Sequence, residues 1–480
     1  MSAGSLPRSN FVAAPATTPA EKLWQQFALW TAVGCALLAV VLIGAASTAA
    51  WVLVDCLLWL GLVILVVGAA RDGVRLPWHP ILWPALAFGG LVCWQWLSHW
   101  SAYPAATLTG LLQLGGCGAI LYLALLAFHR PKNLRRLGTV LWWFTGALGG
   151  EALFQFFTSR TEIYGFRSAA YATPVGPFIY HNHFAGCMDL LLPVALVVAF
   201  QPRRRSRDVL WMAWLRRGIL PALGLAAVVV SQSRGGVFAL LVEGAVAVAL
   251  FWRTFARHRR RRRTVAVAAA ALIGFTLLAG WGPLLQRLGH LDQHDVSALA
   301  RLRVAEGCVA IWRAHPWLGT GFETFPAVYP QYQTFSNGKR FLEAHNEYAQ
   351  MLAETGVAGA LCVLAFAVLL AYFALRRPPA DLSRRVIYLR KALLIACAGF
   401  LFHSFGDFQF HSPANALLFF LLAGALAARG FGRADAAPAD GRGGRGRRPA
   451  SRERVAAPTA AQAPPAADRA QSLLAISAQT

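Results

Sequence analysis

The chain has 480 residues, 57% of them hydrophobic and only 14% charged, with a mean hydropathy of +0.49 and a formal net charge of +24. Such a composition excludes an ordinary soluble globular domain. The basic runs come without any nucleic-acid-binding module, so nucleic acid is not the expected partner.

Residues 1–22 are rich in Ala, Pro and Thr and are expected to form a disordered arm. They lack the apolar core of a signal peptide, so the first apolar run should itself direct insertion. Twelve apolar runs follow, at 27–46, 48–69, 81–98, 108–127, 137–157, 179–199, 218–232, 235–252, 264–282, 350–375, 388–403 and 413–428. A hydrocarbon core takes about 20 apolar residues per helix, so each is a candidate span. The pair 218–232 and 235–252 can also be read as one broken span, which would invert everything downstream.

Positive charge decides between these readings, because cytoplasmic loops collect Lys and Arg. Arg8 and Lys22 precede the first run. Arg71 and Arg75, then Arg130 to Arg136, then Arg203 to Arg217, then Arg253 to Arg263, then Arg376 to Lys391 follow alternate runs. The loops 46–50, 99–107 and 404–412 carry no Lys or Arg. The alternation predicts an all-α, polytopic integral membrane protein of about 12 spans with both termini in the cytoplasm. It divides the chain into an arm (1–22), a membrane domain (23–430) and a disordered Arg/Ala/Pro-rich cytoplasmic tail (431–480). The segment 283–349 becomes a large, partly helical exterior loop between spans 9 and 10. Seven of the eight Cys lie in or beside apolar runs, with no disulfide framework or metal-ligand spacing, so no metal or cofactor is expected.

The stretch Trp281–Glu354 is the one long polar interruption. It carries Arg287, His290, His294, Arg301, Arg303 and Arg313. Residues 297–314 should form a helix with an apolar stripe of Leu299, Leu302, Ala305, Val309 and Trp312, ended by His315-Pro316. Arg301 and Arg303 are about 200° apart on that helix, so at most one faces a given site. His345 opens the next helix, and Glu343, Glu347, Gln350 and Glu354 form a polar stripe that must face protein or a wet cavity.

Three further features fall on the same side. One is the loop 158–178, with Arg160, Tyr164, Arg167 and Tyr171, leading to His181, Asn182 and His183. A second is Ser231 to Gly236, with Arg234 between two Ser and two Gly. The third is His403 to Asp407, with His411. Arginine is a permanent planar fork suited to phosphate and pyrophosphate, and a neutral imidazole can accept a proton from a hydroxyl. Each feature also has a plainer reading. Arg234 can be a snorkelling loop arginine, His345 and its stripe a capped packing face, and His181 to His183 polar packing at a helix start.

Together, SerGlnSerArgGlyGly (231–236), HisProTrpLeuGlyThrGlyPheGluThrPhe (315–325), HisAsnGluTyrAlaGlnMetLeuAlaGluThrGly (345–356), HisSerPheGlyAspPhe (403–408) and AsnHisPheAlaGly (182–186) resemble the O-antigen ligase and polysaccharide polymerase superfamily of bacterial inner-membrane proteins. The resemblance covers roughly 140–425 and rests on the order and spacing of motifs that are individually weak. It implies a metal-independent, inverting glycosyltransferase acting at the periplasmic face. Its donor would be an undecaprenyl-pyrophosphate-linked glycan and its acceptor a hydroxyl of lipid A-core or of a growing polysaccharide. By motif, His345 and Arg234 would be catalytic. Arg301 or Arg303 would be a second phosphate clamp, with Arg167, His183, Glu347 and Asn346 as further substrate contacts. Repeat-unit polymerisation is the alternative chemistry. A lipid-linked glycan transporter would instead place its polar groups near the midplane between repeats, which leaves Glu151, Glu243 and Asp189 as residues to explain. A non-catalytic envelope scaffold is a third possibility.

Overall fold

The computed structural model describes residues 18–169, 172–201, 215–256, 296–335, 338, 340–379 and 382–428. All lie in the unit Met1–Asp435, and the second unit, Ala436–Thr480, lies outside the described residues. The expected span at 264–282, Arg287, His290, His294 and the C-terminal tail also lie outside them.

Helix α1 (Pro19–Val41) starts inside the arm expected to be disordered. Its start is fixed by a capping box in which Thr18 and Glu21 satisfy each other's backbone N–H, with Pro19 at the first position. Then come α2 (Thr48–Arg71), α3 (Leu82–Leu97), α4 (Pro104–Ala127) and α5 (Pro131–Thr158). A two-residue antiparallel pair, β1 (Glu162–Ile163) and β2 (Arg167–Ser168), departs from a purely helical expectation. Next are α6 (His181–Phe200), α7 (Leu220–Val230) and α8 (Arg234–Ala256). After the gap come α9 (Val296–Ala314), the single turn α10 (Phe325–Val328), α11 (Glu347–Leu375), α12 (Arg384–His403) and α13 (Pro413–Ala427). The runs 218–232 and 235–252 are thus two helices, separated by a turn at Ser231–Ser233. Among the described residues, seven helices are long and apolar enough to cross a membrane: α1, α2, α4, α6, α8, α11 and α12. The chain is an all-α polytopic membrane protein in architecture.

Burial sorts the helices. On α6 nearly every side chain is buried, and it packs against α5, α7, α8, α12 and α13. A helix that is apolar all round belongs inside, and α13 behaves the same way. By contrast, α2 turns Leu53, Leu57, Leu60, Val63 and Val67 outward, as a lipid-facing helix does. Small residues on α1 (Ala28, Ala32, Ala36, Ala39) are fully buried and let neighbouring helices approach closely.

Two motifs of the sequence prove to be halves of one junction. Helix α11 breaks at Gly356, which has φ 61°. The carbonyls of Ala353 and Glu354 then accept from Thr320 N and Gly321 N, at 3.2 and 2.9 Å. The N–H groups of Val357 and Ala358 donate to Pro316 O and Trp317 O, at 2.9 and 3.0 Å. The loop 316–321 thereby satisfies the backbone that the break exposes, as broken membrane helices require. A Cβ on Gly356 or Gly319 would overlap the facing backbone.

The helix expected at 297–314 is α9, but its buried face is Ala300, Val304, Cys308 and Ile311, and Leu302 is exposed. The stripe is displaced because Gly307 sits against the Tyr329 ring and sets which face can dock. Val304, Cys308 and Ile311 join Phe325, Tyr329, Ala344 and Ala353 in a second apolar cluster over the start of α11.

Candidate functional site

The turn His403–Phe408, between α12 and α13, is the hub. Ser404 O accepts from Glu347 N at 3.0 Å, joining it to the start of α11. Gly406 O accepts from Arg301 Nη1 at 2.8 Å, joining it to α9. Asp407 Oδ1 stands 3.1 Å from His345 Nδ1 and also accepts from Phe408 N at 2.9 Å. His403 Nδ1 stands 2.7 Å from Asp189 Oδ2 on α6. The Phe408 ring lies between His183 and His345, with centroids 4.7 and 4.8 Å away. Two of the three shorter features, the turn itself and the His181–His183 segment, therefore meet here with the polar stretch, which contributes Arg301 and His345.

His345 precedes α11 in the left-handed region, at φ 53°. That conformation is uncommon for a side-chain-bearing residue and is held only when the surroundings dictate it. The partner of this ring is a carboxylate, that of Asp407. Burial pushes the Asp407 carboxyl up, but the hydrogen bond and charge of His345, with His183 and Arg301 beyond, hold it well below the usual range. An ionised Asp407 accepts the Nδ1 proton and leaves Nε2 as the basic nitrogen, the orientation used by His–Asp pairs in general-base catalysis.

The arginines separate. Arg301 reaches the turn. Arg303 is exposed and stacks on Phe335, with its guanidinium carbon 5.6 Å from the ring centroid. Arg234 is exposed as the first residue of α8 and has no hydrogen bond or ion pair among the described residues. Gln232 just before it lies at φ 54°, and Ser233 Oγ accepts from Gly236 N at 3.1 Å to cap the helix. The glycines of this motif face protein rather than a ligand: a Cβ on Gly235 would overlap the His403 ring, and one on Gly236 would crowd Ala185. Arg167 is exposed on β2, and no hydrogen bond or ion pair joins it to the hub.

Other expected contacts are occupied. Asn346 caps α11, its side-chain oxygen accepting from Ala349 N at 3.0 Å. Glu347 pairs with His411 at 3.1 Å and accepts from Phe410 N. His183 is buried with its Nε2 unpartnered among the described residues.

The polar stripe faces protein, as expected. Gln350 donates to Glu343 at 2.7 Å, and Glu354 accepts from Glu323 N and Phe325 N, both at 2.9 Å. His411 completes the cluster, 3.4 Å from Glu343 and 3.6 Å from Glu323. Burial alone would lower the His411 pKa, but Glu343, Glu347 and Glu323 outweigh it and hold it well above the ordinary value. Burial raises Glu343 to about 7. This cluster closes one end of a cavity of about 650 Å³ between α2, α3, α4, α11 and α13. Aromatic and aliphatic side chains line most of the cavity, with Asp55, Glu323, Glu347 and Glu354, and no Lys or Arg does among the described residues.

Residues 219–364 match a family model described as O-antigen ligase. Over that segment the chain is similar to the O-antigen ligase family. The match spans Arg234, Arg301, Arg303 and His345, and its apolar helices fit a bacterial inner-membrane protein of lipopolysaccharide and polysaccharide biosynthesis. No curated protein matches the chain.

Sequence reasoning named Asp407 only as part of a motif and gave it no role. Its signal was there: a carboxylate beside apolar helices is costly unless paired. The same signal marked Asp189, left unexplained although it holds His403. The grouping of His411 with three glutamates depends on chain folding and had no local signature.

Proposed function

We propose that this protein, which is similar to the O-antigen ligase family over residues 219–364, transfers a glycan from undecaprenyl pyrophosphate to an acceptor hydroxyl at the periplasmic face of the inner membrane. The observation that carries the reading is the His345–Asp407 pair with Arg301 on the same turn. A base oriented by a buried carboxylate suits deprotonation of a hydroxyl. Permanent cations suit the pyrophosphate leaving group. The cavity offers neither Lys nor Arg, so the pyrophosphate belongs on the arginine side of His345.

In this reading the acceptor oxygen attacks the anomeric carbon, His345 Nε2 takes its proton, and the bond to the pyrophosphate oxygen breaks. Arg301 and Arg234 bear the departing charge. A single displacement inverts the anomeric centre and needs no metal. Asn346 and Glu347 serve by fixing the start of α11, and His183 by packing against Phe408. Arg303 and Arg167 stand apart from the hub and take no role in the chemistry. The membrane domain would run from α1 to about residue 430, with both termini cytoplasmic.

Polymerisation by the same chemistry is the second reading, supported by the same family match. Purified protein in liposomes, given the lipid-linked glycan with and without lipid A-core, separates them by mass spectrometry. One glycan block on lipid A-core marks a ligase, and a ladder of longer lipid-linked glycans marks a polymerase. Movement of intact donor across the bilayer without product would overturn both.

A further inference from the structure

No hydrogen bond joins the side chains of the pair Asp189–His403 to His345 or Asp407 among the described residues, yet both are almost wholly buried, at 0 and 1% exposure. Burying such a pair is costly and is no better for stability than apolar packing. Its placement suggests what it does. Asp189 belongs to α6 and His403 ends α12. The His403 ring lies against Gly235, where a Cβ would overlap it, and Gly235 follows Arg234 directly. On its other side, His403 begins the turn that holds Arg301 and Asp407.

We infer that Asp189 and His403 are positioning residues that seat Arg234 relative to His345, resting on the reading of Arg234 as a pyrophosphate ligand. Asp189 accepts the Nδ1 proton and so leaves the Nε2 lone pair pointing away from the carboxylate. Nε2 has no other partner among the described residues and lies at the start of α8. That end carries the positive pole of the helix dipole and N–H groups without intrahelical partners, which favour a lone pair over a proton. The strained turn at Gln232 and the cap from Ser233 then fix the backbone from which Arg234 projects. A larger residue at 235 or a reversed imidazole would shift α8 and separate Arg234 from the hub.

The test measures binding of undecaprenyl pyrophosphate alone to the full chain in detergent, for wild type, Asp189→Asn, Arg234→Ala and the double variant. Asparagine keeps the shape and can donate to Nδ1, reversing the imidazole. Asp189→Asn is expected to weaken binding on the order of 10-fold, the scale on which groups that orient a ligating side chain act. The melting temperature should stay near wild type. In the Arg234→Ala background the same change should add nothing, because a residue acting through Arg234 has nothing left to act on. Wild-type binding by Asp189→Asn, or losses that multiply in the double variant, would overturn the inference. Wild-type binding by Arg234→Ala would remove the reading of Arg234 and this inference with it. If Asp189→Asn does not accumulate, Gly235→Ala puts the same question from the side of α8, with the same expected loss and the same double-variant comparison.

Discussion

His345 Nδ1 and Asp407 Oδ1 are 3.1 Å apart, and the imidazole is 30% exposed while the carboxylate is 2% exposed. A buried acceptor thus holds a partly exposed imidazole by one nitrogen, and in the proposed reading the other nitrogen is the base. Asp407→Asn should keep the protein folded and lower transfer by about 100-fold, the scale of a general-base contribution. The Asp407 pKa is depressed in the fold, so its stabilising contribution is complete above its unfolded value of about 4. It fades as pH falls through the lower folded value. The difference in stability between wild type and Asp407→Asn should therefore shrink only below about pH 4. Melting curves across pH check this, and equal turnover by the two proteins would sink the role.

Arg301 and Arg303 offer a matched comparison, since they are two residues apart on one helix. Arg301→Ala should lower turnover by about 100-fold, as loss of one charge-stabilising donor does. Arg303→Ala, which removes only the stacking on Phe335, should leave turnover near wild type and stability within about 0.5 kcal/mol. Steady-state kinetics of the purified variants decide it, and the reverse order would contradict the placement of α9.

The His411 cluster should make stability fall as pH rises. A raised histidine pKa contributes fully below its unfolded value of about 6.5 and loses that contribution as pH climbs through the folded value. Glu343, raised to about 7, acts in the same direction, because the folded state holds its proton longer than the unfolded one. Thermal melting should drop as pH rises from about 4 to about 7 through Glu343 and above about 6.5 through His411, and Glu343→Gln should flatten that drop. His411→Ala leaves the glutamates without a cation and should destabilise by about 3 kcal/mol.

The junction of the loop with the broken helix should tolerate no side chain. Gly319→Ala and Gly356→Ala each place a Cβ on facing backbone at positive φ. Each should cost more than about 3 kcal/mol and lower the folded yield. Gly338→Ala, with positive φ but open space, should cost only about 1 kcal/mol. Size-exclusion profiles and melting temperatures rank the three.

Much of the helical layout was legible because span length and charge alternation are strong physical constraints. The start of α1 was misjudged because a capping box at Thr18 and Glu21 is a local signal within a polar arm. The face of α9 was misjudged because periodicity counts large apolar residues, whereas Gly307 and Tyr329 decide the docking. Arg301 and His345 were legible as candidates by residue type. Asp407 and Asp189 were not, because their partners are distant in sequence. The glycines after Arg234 illustrate the same limit: small size was readable, but not that His403 and Ala185 fill the space.

The most direct measurement is release of undecaprenyl pyrophosphate from the lipid-linked glycan, followed by mass spectrometry, for wild type and His345→Ala in the same liposomes. The account predicts stoichiometric release with acceptor glycosylation by wild type, and a loss of about 100-fold or more in His345→Ala at unchanged donor binding. Undiminished release by His345→Ala would contradict the proposed chemistry.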